Sequence, residues 1–288
     1  MPDFAIIGAA GYIAPKHMQA IRDVGGNLVA AMDPHESVGV LDRFFPDCEY
    51  FSDFGAFDSF IADNPVDFVS ICSPTYLHVV HCKWAMRAMA NVICEKPLVL
   101  TLEELDCLKF LEEKTGKRVW TVLQLRYHPL VAQMQKYRDS LVKPVQIDYA
   151  TPRGNWYHST WKTDPRKSGG LATNIGIHLF DLAVSLFGMM VKEPTITYDL
   201  EEAISGTLQL HRANLEWSLS IGKDWKARRS FQIGSEKFEL SGSFTELHTE
   251  VYRQVLAGNG IGLDHVRESV RITEAVRKEC NGSCPRAV

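Results

Sequence analysis

The sequence predicts two architectures in series: an α/β doubly wound parallel sheet, then an α+β domain built on a large open mixed β-sheet. Three observations carry this reading. Up to about residue 122, short apolar runs alternate with helical segments. Within that part Val66 to Cys72 is a nearly continuous apolar run, the pattern of a strand buried on both faces. After about residue 124 the strand-like segments follow one another closely, as antiparallel neighbours do. The expected division is therefore 1–123 and 124–288.

In order along the chain, Phe4 to Ile7 is a strand ending in a glycine turn, and His17 to Val24 is helix stopped by Gly25-Gly26. Leu28 to Met32 is the second strand. The Val66–Cys72 strand ends in Ser73-Pro74-Thr75, and a helix follows from about His78 to Met89. Val92 to Cys94 is a short strand that ends at Glu95-Lys96-Pro97. Thr101 and Glu104 form a capping box for a helix running to Thr115, Gly116 stops it, and Val119 to Leu123 is a strand. The second half offers a helix over Leu130–Leu141 and strands over Val145–Ala150, Ile204–Leu210, Asn214–Ile221, Ser230–Ile233 and Lys237–Leu240. A helix begins near Asn174 among them, and Phe244–Ala257 and Leu263–Cys280 are helical, with disorder expected over Gly282–Val288.

Composition narrows the class of molecule. A chain of 288 residues with 45% hydrophobic and 23% charged residues has the balance of a soluble globular protein of about two domains. A net charge of −4 gives no electrostatic footprint for nucleic acid, and no apolar stretch is long enough to span a membrane. Met1 to Gly11 lacks the features of a signal peptide, and the seven cysteines are scattered, with Cys72 and Cys94 in strands and Cys280 and Cys284 without partners at zinc spacing. A reducing cytoplasm fits this pattern.

The turn after the first strand carries Gly8, Ala10, Gly11, Tyr12 and Ile13, a G-x-x-G-x-x-A variant of the dinucleotide fingerprint that ends at Ala14. Gly8 permits the tight turn, a small residue at position 10 lets a diphosphate approach the backbone, and the helix that follows aims N–H groups at it. Asp33 ends the second strand 25 residues after Gly8, where a carboxylate accepts from ribose hydroxyls and repels a 2′-phosphate. The expected cofactor is NAD. Ser73, Pro74, His78, Glu95, Lys96 and Gln124 lie at or just beyond strand ends of the same sheet and join the expected cofactor contacts.

Oxidising a secondary alcohol needs a base for the hydroxyl proton and a donor for the developing alkoxide. Lys96, at a strand end before Pro97, suits the donor, and His178 suits the base. Gly169, Gly170 and Gly176 punctuate the segment around His178. Asn174 stands four residues before His178, on the same helix face. Asp181, three residues after it, either orients the ring or is a structural acid, and the structural role is favoured. Upstream, Arg153, Asn155, Trp156, Tyr157, Trp161, Lys162, Arg166 and Lys167 pack cations and aromatics into a short segment suited to an anionic sugar nucleotide. His78 and His81 lie three apart, but no carboxylate or cysteine completes a metal set, so no metal is expected. His128 and Arg126 follow a strand end and could line the same cleft.

Glu95-Lys96-Pro97 and Asn174-Ile-Gly-Ile-His178, with the glycine turn, resemble the glucose–fructose oxidoreductase / inositol dehydrogenase family over essentially the whole chain. Many members have Asp where this chain has Asn174. The resemblance implies an N-terminal Rossmann domain, a C-terminal sheet used for oligomer contacts, a homotetramer, and Lys96 and His178 as the catalytic pair. Segments Gly8–Pro15, Arg153–Tyr157, Asp164–Ser168 and Ala172–Gly176 are similar to the family's UDP-N-acetylglucosaminuronate 3-dehydrogenases. That likeness implies oxidation at C3 of a UDP-sugar uronic acid in bacterial polysaccharide biosynthesis, upstream of an aminotransferase. Two other readings stay open: another sugar or polyol dehydrogenase of the family, and a sensor that binds NAD and sugar without turnover.

Overall fold

A computed structural model describes residues 1–139, 141–224, 226–240 and 246–283, the last three by their backbone. The chain forms two compact units, one of Met1–Val99, Glu103–Gln124 and Thr245–His265, the other of Leu100–Leu102, Leu125–Phe244 and the chain from Val266 onward. The division thus differs from the expected one, because a late segment joins the first unit.

The first unit holds strands β1 (Asp3–Ile7), β2 (Asn27–Met32), β3 (Glu49–Phe51), β4 (Phe68–Ile71), β5 (Asn91–Cys94) and β6 (Val119–Thr121). They lie in the order β3-β2-β1-β4-β5-β6, all parallel. The chain starts at the centre and winds outward both ways, so the carboxyl ends of β1 and β4 flank the point where ligands bind in such sheets. All four residues of β4 are buried, which explains its apolar run. β3 and the helices Leu41–Phe44 and Phe54–Asp63 were not among the expected elements. β3 is three half-exposed residues at the sheet edge and carries too short a pattern to read, whereas Asp53 caps its helix by accepting from the Ala56 N–H.

The helix Ala14–Asp23 packs against the late helix Leu247–Leu256, and Thr249 Oγ1 donates to Asp23 at 2.8 Å. Phe4 stacks on Phe68 with ring centroids 5.1 Å apart and meets Tyr252 at 5.9 Å. Phe4 and Tyr252 are fully buried; each aromatic of this kind contributes about 1.5–3 kcal/mol. The expected start of that helix at Phe244 falls outside the described residues, as do Cys284 and the tail 284–288.

The second unit is built on β7 (Lys143–Ala150), β8 (Met190–Leu200), β9 (Ala203–Leu210), β10 (Ala213–Ser220), β11 (Arg228–Ile233) and β12 (Glu236–Glu239), in the order β12-β11-β7-β10-β9-β8. The sheet is mixed as expected, but β7 and β10 pair in parallel, not antiparallel, because β8 and β9 and the helices before them intervene in the chain. β8 was also absent from the expected strands. It is an edge strand with mostly exposed residues, Lys192 and Glu193 among them, and it carries Pro194, a composition that guards an edge and hides the alternation of a strand. One face of the sheet is covered by the helices Ile177–Phe187 and Leu263–Ser283, which bring Phe180, Leu186, Ile272 and Val276 onto Ile147, Leu215, Trp217 and Phe231.

Three helical expectations shift. Leu130–Leu141 becomes a short helix, Pro129–Met134, followed by a 3₁₀ turn over Gln135–Tyr137. The last helix runs to Ser283, so Gly282 and Ser283 belong to it rather than to a disordered tail. The helix expected from Asn174 is two helices, Gly170–Asn174 and Ile177–Phe187, broken at Ile175-Gly176. A Cβ at Gly176 would meet Ala172 O at 2.5 Å and the Leu219 side chain at 2.8 Å, so the break brings the backbone too close for any larger residue.

Candidate active site

The turn after β1 is built around Gly8. Its φ is +93°, and a Cβ there would sit 2.6 Å from the backbone of Cys72 and Ser73. Only glycine lets the first turn lie against the end of β4. Gly11 N–H donates to Gly8 O, and Ala10 N–H donates to Asp33 Oδ2 at 2.9 Å. Ala10 therefore holds Asp33 through its amide. Among the described residues this leaves the amides of Tyr12 and Ile13, just ahead of the helix Ala14–Asp23, to face a diphosphate. The other Asp33 oxygen accepts from His35 N–H at 2.9 Å, so the carboxylate is fixed at the end of β2 with lone pairs left for ribose hydroxyls. Gln124, after β6, has a buried Oε1 without a partner among the described residues. The Gly8 cradle, the two amides, the fixed Asp33 and this acceptor fit a dinucleotide.

The second turn of this unit carries Lys96, partly exposed and followed by a cis Lys96-Pro97 peptide. Two residues expected to touch the cofactor are instead committed to protein groups. His78 is 1% exposed, with Nδ1 2.8 Å from Pro97 O and Nε2 2.9 Å from Ser73 O. It lies between the Lys96 turn and the Ser73-Pro74 turn; burial pulls its imidazole below the ordinary range, and the neutral ring donates to one of the two carbonyls. Glu95 is likewise buried, and its carboxylate meets His17 Nε2 at 3.0 Å, His248 Nε2 at 3.4 Å and the Lys96 N–H at 3.1 Å. Ser73 Oγ is 2.8 Å from His81 Nδ1, and burial pulls His81 down to about 4.

In the second unit His178 opens the helix Ile177–Phe187 and is partly exposed. Because of the break at Gly176, Asn174 does not continue the face of His178. Its Nδ2 donates instead to the buried Tyr157 hydroxyl at 3.0 Å. Asp181, one turn after His178, accepts from Arg126 Nε and Nη2, both at 2.6 Å, and from Ser269 Oγ at 3.3 Å. A buried carboxylate so engaged anchors its helix, the structural alternative for Asp181.

The segment 153–168 divides. Arg153 lies 6.0 Å over the Tyr157 ring, and Lys162 lies 4.5 Å over the Trp161 ring. Burial, and then the Arg153 charge, pull the Lys162 ammonium below its ordinary range. Among the described residues neither cation has an ion-pair partner, so an anion between them would relieve their repulsion. Arg166 is turned away from this group into a two-pronged pair with Asp164, at 3.1 and 3.0 Å, on the surface. Asn155, Trp156 and Lys167 are exposed. Of the expected anion readers, Arg153 is the one the structure sets beside Tyr157, and Lys162 joins it there. Lys162 belonged to the cluster read from the sequence but was not singled out as an anion reader. His17 and His248 were missed as well, because nothing local marks a histidine on a late helix as a neighbour of Glu95.

Residues 3–123 match an oxidoreductase family model with an NAD-binding Rossmann fold, and residues 141–202 match the family's C-terminal alpha/beta domain. The chain is 43% identical to the WlbA (WbpB) dehydrogenase from Thermus thermophilus, solved in complex with NAD and UDP-GlcNAcA, over 96% of this chain and 95% of that one, with a TM-score of 0.92. The same protein has been solved with NAD and alpha-ketoglutarate. Among curated relatives, D-glucoside 3-dehydrogenase of Escherichia coli is 26% identical over 52% of this chain and 50% of its own length. Glucose-6-phosphate 3-dehydrogenase of Bacillus subtilis is 27% identical over 65% of this chain and 54% of its own. The chain thus spans about half the length of these curated relatives. With both domain models matched and near-complete coverage of a homologous structure, the chain belongs to the Gfo/Idh/MocA family of oxidoreductases, and its N-terminal unit is an NAD-binding Rossmann domain.

Proposed function

We propose that the enzyme oxidises the C3 hydroxyl of UDP-N-acetylglucosaminuronic acid to the 3-keto sugar nucleotide, a step of bacterial polysaccharide biosynthesis that supplies a ketone to an aminotransferase. The observation that carries this reading is the 43% identity, over 96% of the chain, to a dehydrogenase whose structure holds NAD and UDP-GlcNAcA. The chain's own residues support it. Arg153 and Lys162 form an unneutralised pair beside Tyr157 and Trp161, suited to a carboxylate or diphosphate on a sugar.

In this reading His178 takes the C3 hydroxyl proton, and the Lys96 ammonium donates to the oxygen as negative charge develops. Bound NAD supplies the acceptor for the C3 hydride. The amides of Tyr12 and Ile13 and the carboxylate of Asp33, fixed by Ala10 and His35, would hold it. A donor of the Lys96 kind is worth about 10²–10³ in kcat.

The test is NADH formation, followed by absorbance, with UDP-N-acetylglucosaminuronic acid and with UDP-N-acetylglucosamine as control. A 2-oxo acid is included to reoxidise NADH that stays bound, since the Thermus relative has been solved with alpha-ketoglutarate. Turnover of the uronic acid alone is the expected result. Equal turnover of both sugars would remove the carboxylate-reading role. Turnover of free sugars or polyols only would replace the sugar-nucleotide assignment, and NAD binding without turnover of any alcohol would make the protein a sensor.

A further inference from the structure

A continuous buried network lies under the Lys96 turn. His17 comes from the helix Ala14–Asp23, Ser70 from β4, Glu95 from the end of β5, and His248 and Tyr252 from the helix Leu247–Leu256. All five are less than a tenth exposed, and His17, Ser70 and Tyr252 are at 0%. Hydrogen positions follow from chemistry. An ionised carboxylate only accepts, so Nε2 of both His17 (3.0 Å) and His248 (3.4 Å) carries a hydrogen toward Glu95 Oε1. Burial keeps His17 neutral, so its Nδ1 is an acceptor, and the Tyr252 hydroxyl donates to it at 2.8 Å. The Ser70 hydroxyl then donates to the Tyr252 oxygen at 2.6 Å. The other Glu95 oxygen accepts the Lys96 N–H at 3.1 Å. Burial alone would raise the Glu95 carboxyl; the hydrogen bonds from His17 and His248 outweigh it and hold the group well below the usual carboxylate range.

We propose that the Ser70–Tyr252–His17–Glu95–His248 network is the positioning device for Lys96, with His17, Glu95 and His248 as positioning residues that fix the backbone from which the lysine departs. This rests on the reading of Lys96 as the alkoxide donor. Three features carry it. The network ends on the Lys96 amide itself. It places an anion one residue from a cation that has to face a developing alkoxide. It also draws on four separate chain segments, more than a buried acid needs for satisfaction alone. The ligand atoms of His17, Glu95 and His248 lie within 4.8 Å of one another, a spacing that would also suit a divalent cation. The hydrogen-bonded network and an ion are exclusive alternatives, because the network puts a hydrogen of each imidazole where the ion would sit.

The experiment compares wild type with Glu95→Gln, His248→Leu, His248→Gln and Tyr252→Phe. Folded fraction is checked by thermal melting, and NAD affinity is measured directly. Glu95→Gln and His248→Leu should lower kcat about 10- to 100-fold, the cost of a small misplacement of a catalytic group, with NAD affinity within about twofold. His248→Gln, whose amide restores an N–H donor, should recover most of the loss, and Tyr252→Phe covers the case in which Glu95→Gln does not fold. A melting shift with unchanged kcat in the folded fraction would overturn the proposal and leave a purely structural network. Stoichiometric metal in the purified protein, by elemental analysis, would also overturn it.

A second readout needs no sugar: the rate of reductive methylation of Lys96 relative to Lys162, located by mass spectrometry. A several-fold change in Glu95→Gln and His248→Leu is expected, and an unchanged ratio would overturn the proposal. Wild type inactive on every sugar nucleotide would sink the function while this ratio still decides the network.

Discussion

Replacing Asp181 with Asn separates anchoring from catalysis at the helix that carries His178. The carboxylate is 1% exposed and accepts two guanidinium N–H bonds from Arg126, both at 2.6 Å, and the Ser269 hydroxyl at 3.3 Å. Breaking a buried pair from one side costs about 3–5 kcal/mol, because the remaining charge is stranded. Arg126 keeps 19% side-chain exposure, so water partly rescues it and the lower end, about 3 kcal/mol, applies. For a unit of roughly 150 residues that corresponds to a Tm lowered by about 6–12 °C. The assay is calorimetric melting beside kcat at a temperature where both proteins are folded. Asp181→Asn should lose the Tm and keep kcat within a few-fold. The double change Arg126→Met with Asp181→Leu should regain much of the stability, since it strands no charge. A Tm within about 1 °C of wild type together with a hundredfold loss of kcat would refute the anchoring argument. It would make Asp181 the group that orients His178.

Gly8→Ala should abolish NAD binding by calorimetric titration, because the added methyl group would stand 2.6 Å from the backbone of Cys72 and Ser73 at a φ of +93°. Lys162→Ala should raise KM for a uronic acid substrate at least tenfold with a smaller effect on kcat, whereas Arg166→Ala, already neutralised by Asp164, should change KM less than twofold; steady-state kinetics of both decides it. Stability should fall as pH drops. Burial pulls His81 from 6.5 to about 4, so the unfolded chain takes up the proton first and stability is lost between about pH 6.5 and pH 4. His17 and His78 are shifted in the same direction and add to the slope, and His81→Gln should flatten it in urea melts at several pH values.

The legible parts of the fold were those whose pattern is local. Phe68–Ile71 is buried on both faces and announces itself as a core strand, and Thr101 and Glu104 mark the helix Leu102–Thr115. The edge strands hid for the same physical reason in both sheets: Glu49–Phe51 is short, and Met190–Leu200 is mostly solvated, so neither alternates. At the site, the glycine turn and Asp33 could be placed from spacing because a phosphate turn is a local device. Lys162, His17 and His248 could not, since what they face is set by tertiary packing. The Asn174–His178 relation failed because Gly176 ends one helix and begins another, which a four-residue spacing does not reveal.

The late helix Leu247–Leu256 gives the nucleotide-binding unit an unusual order of completion. Tyr252 fills the space beside Phe4, and His248 meets Glu95, yet both are specified more than 120 residues after β6 closes the sheet. During synthesis the N-terminal 124 residues must wait for a further stretch of similar length before Phe4, His17 and Glu95 find Tyr252 and His248. The first unit is thus assembled last as well as first. A fragment ending at Gln124 is expected to expose the Phe4–Phe68 surface, to bind NAD weakly and to aggregate, and appending the segment Thr245–His265 through a flexible linker is expected to restore a cooperative melt.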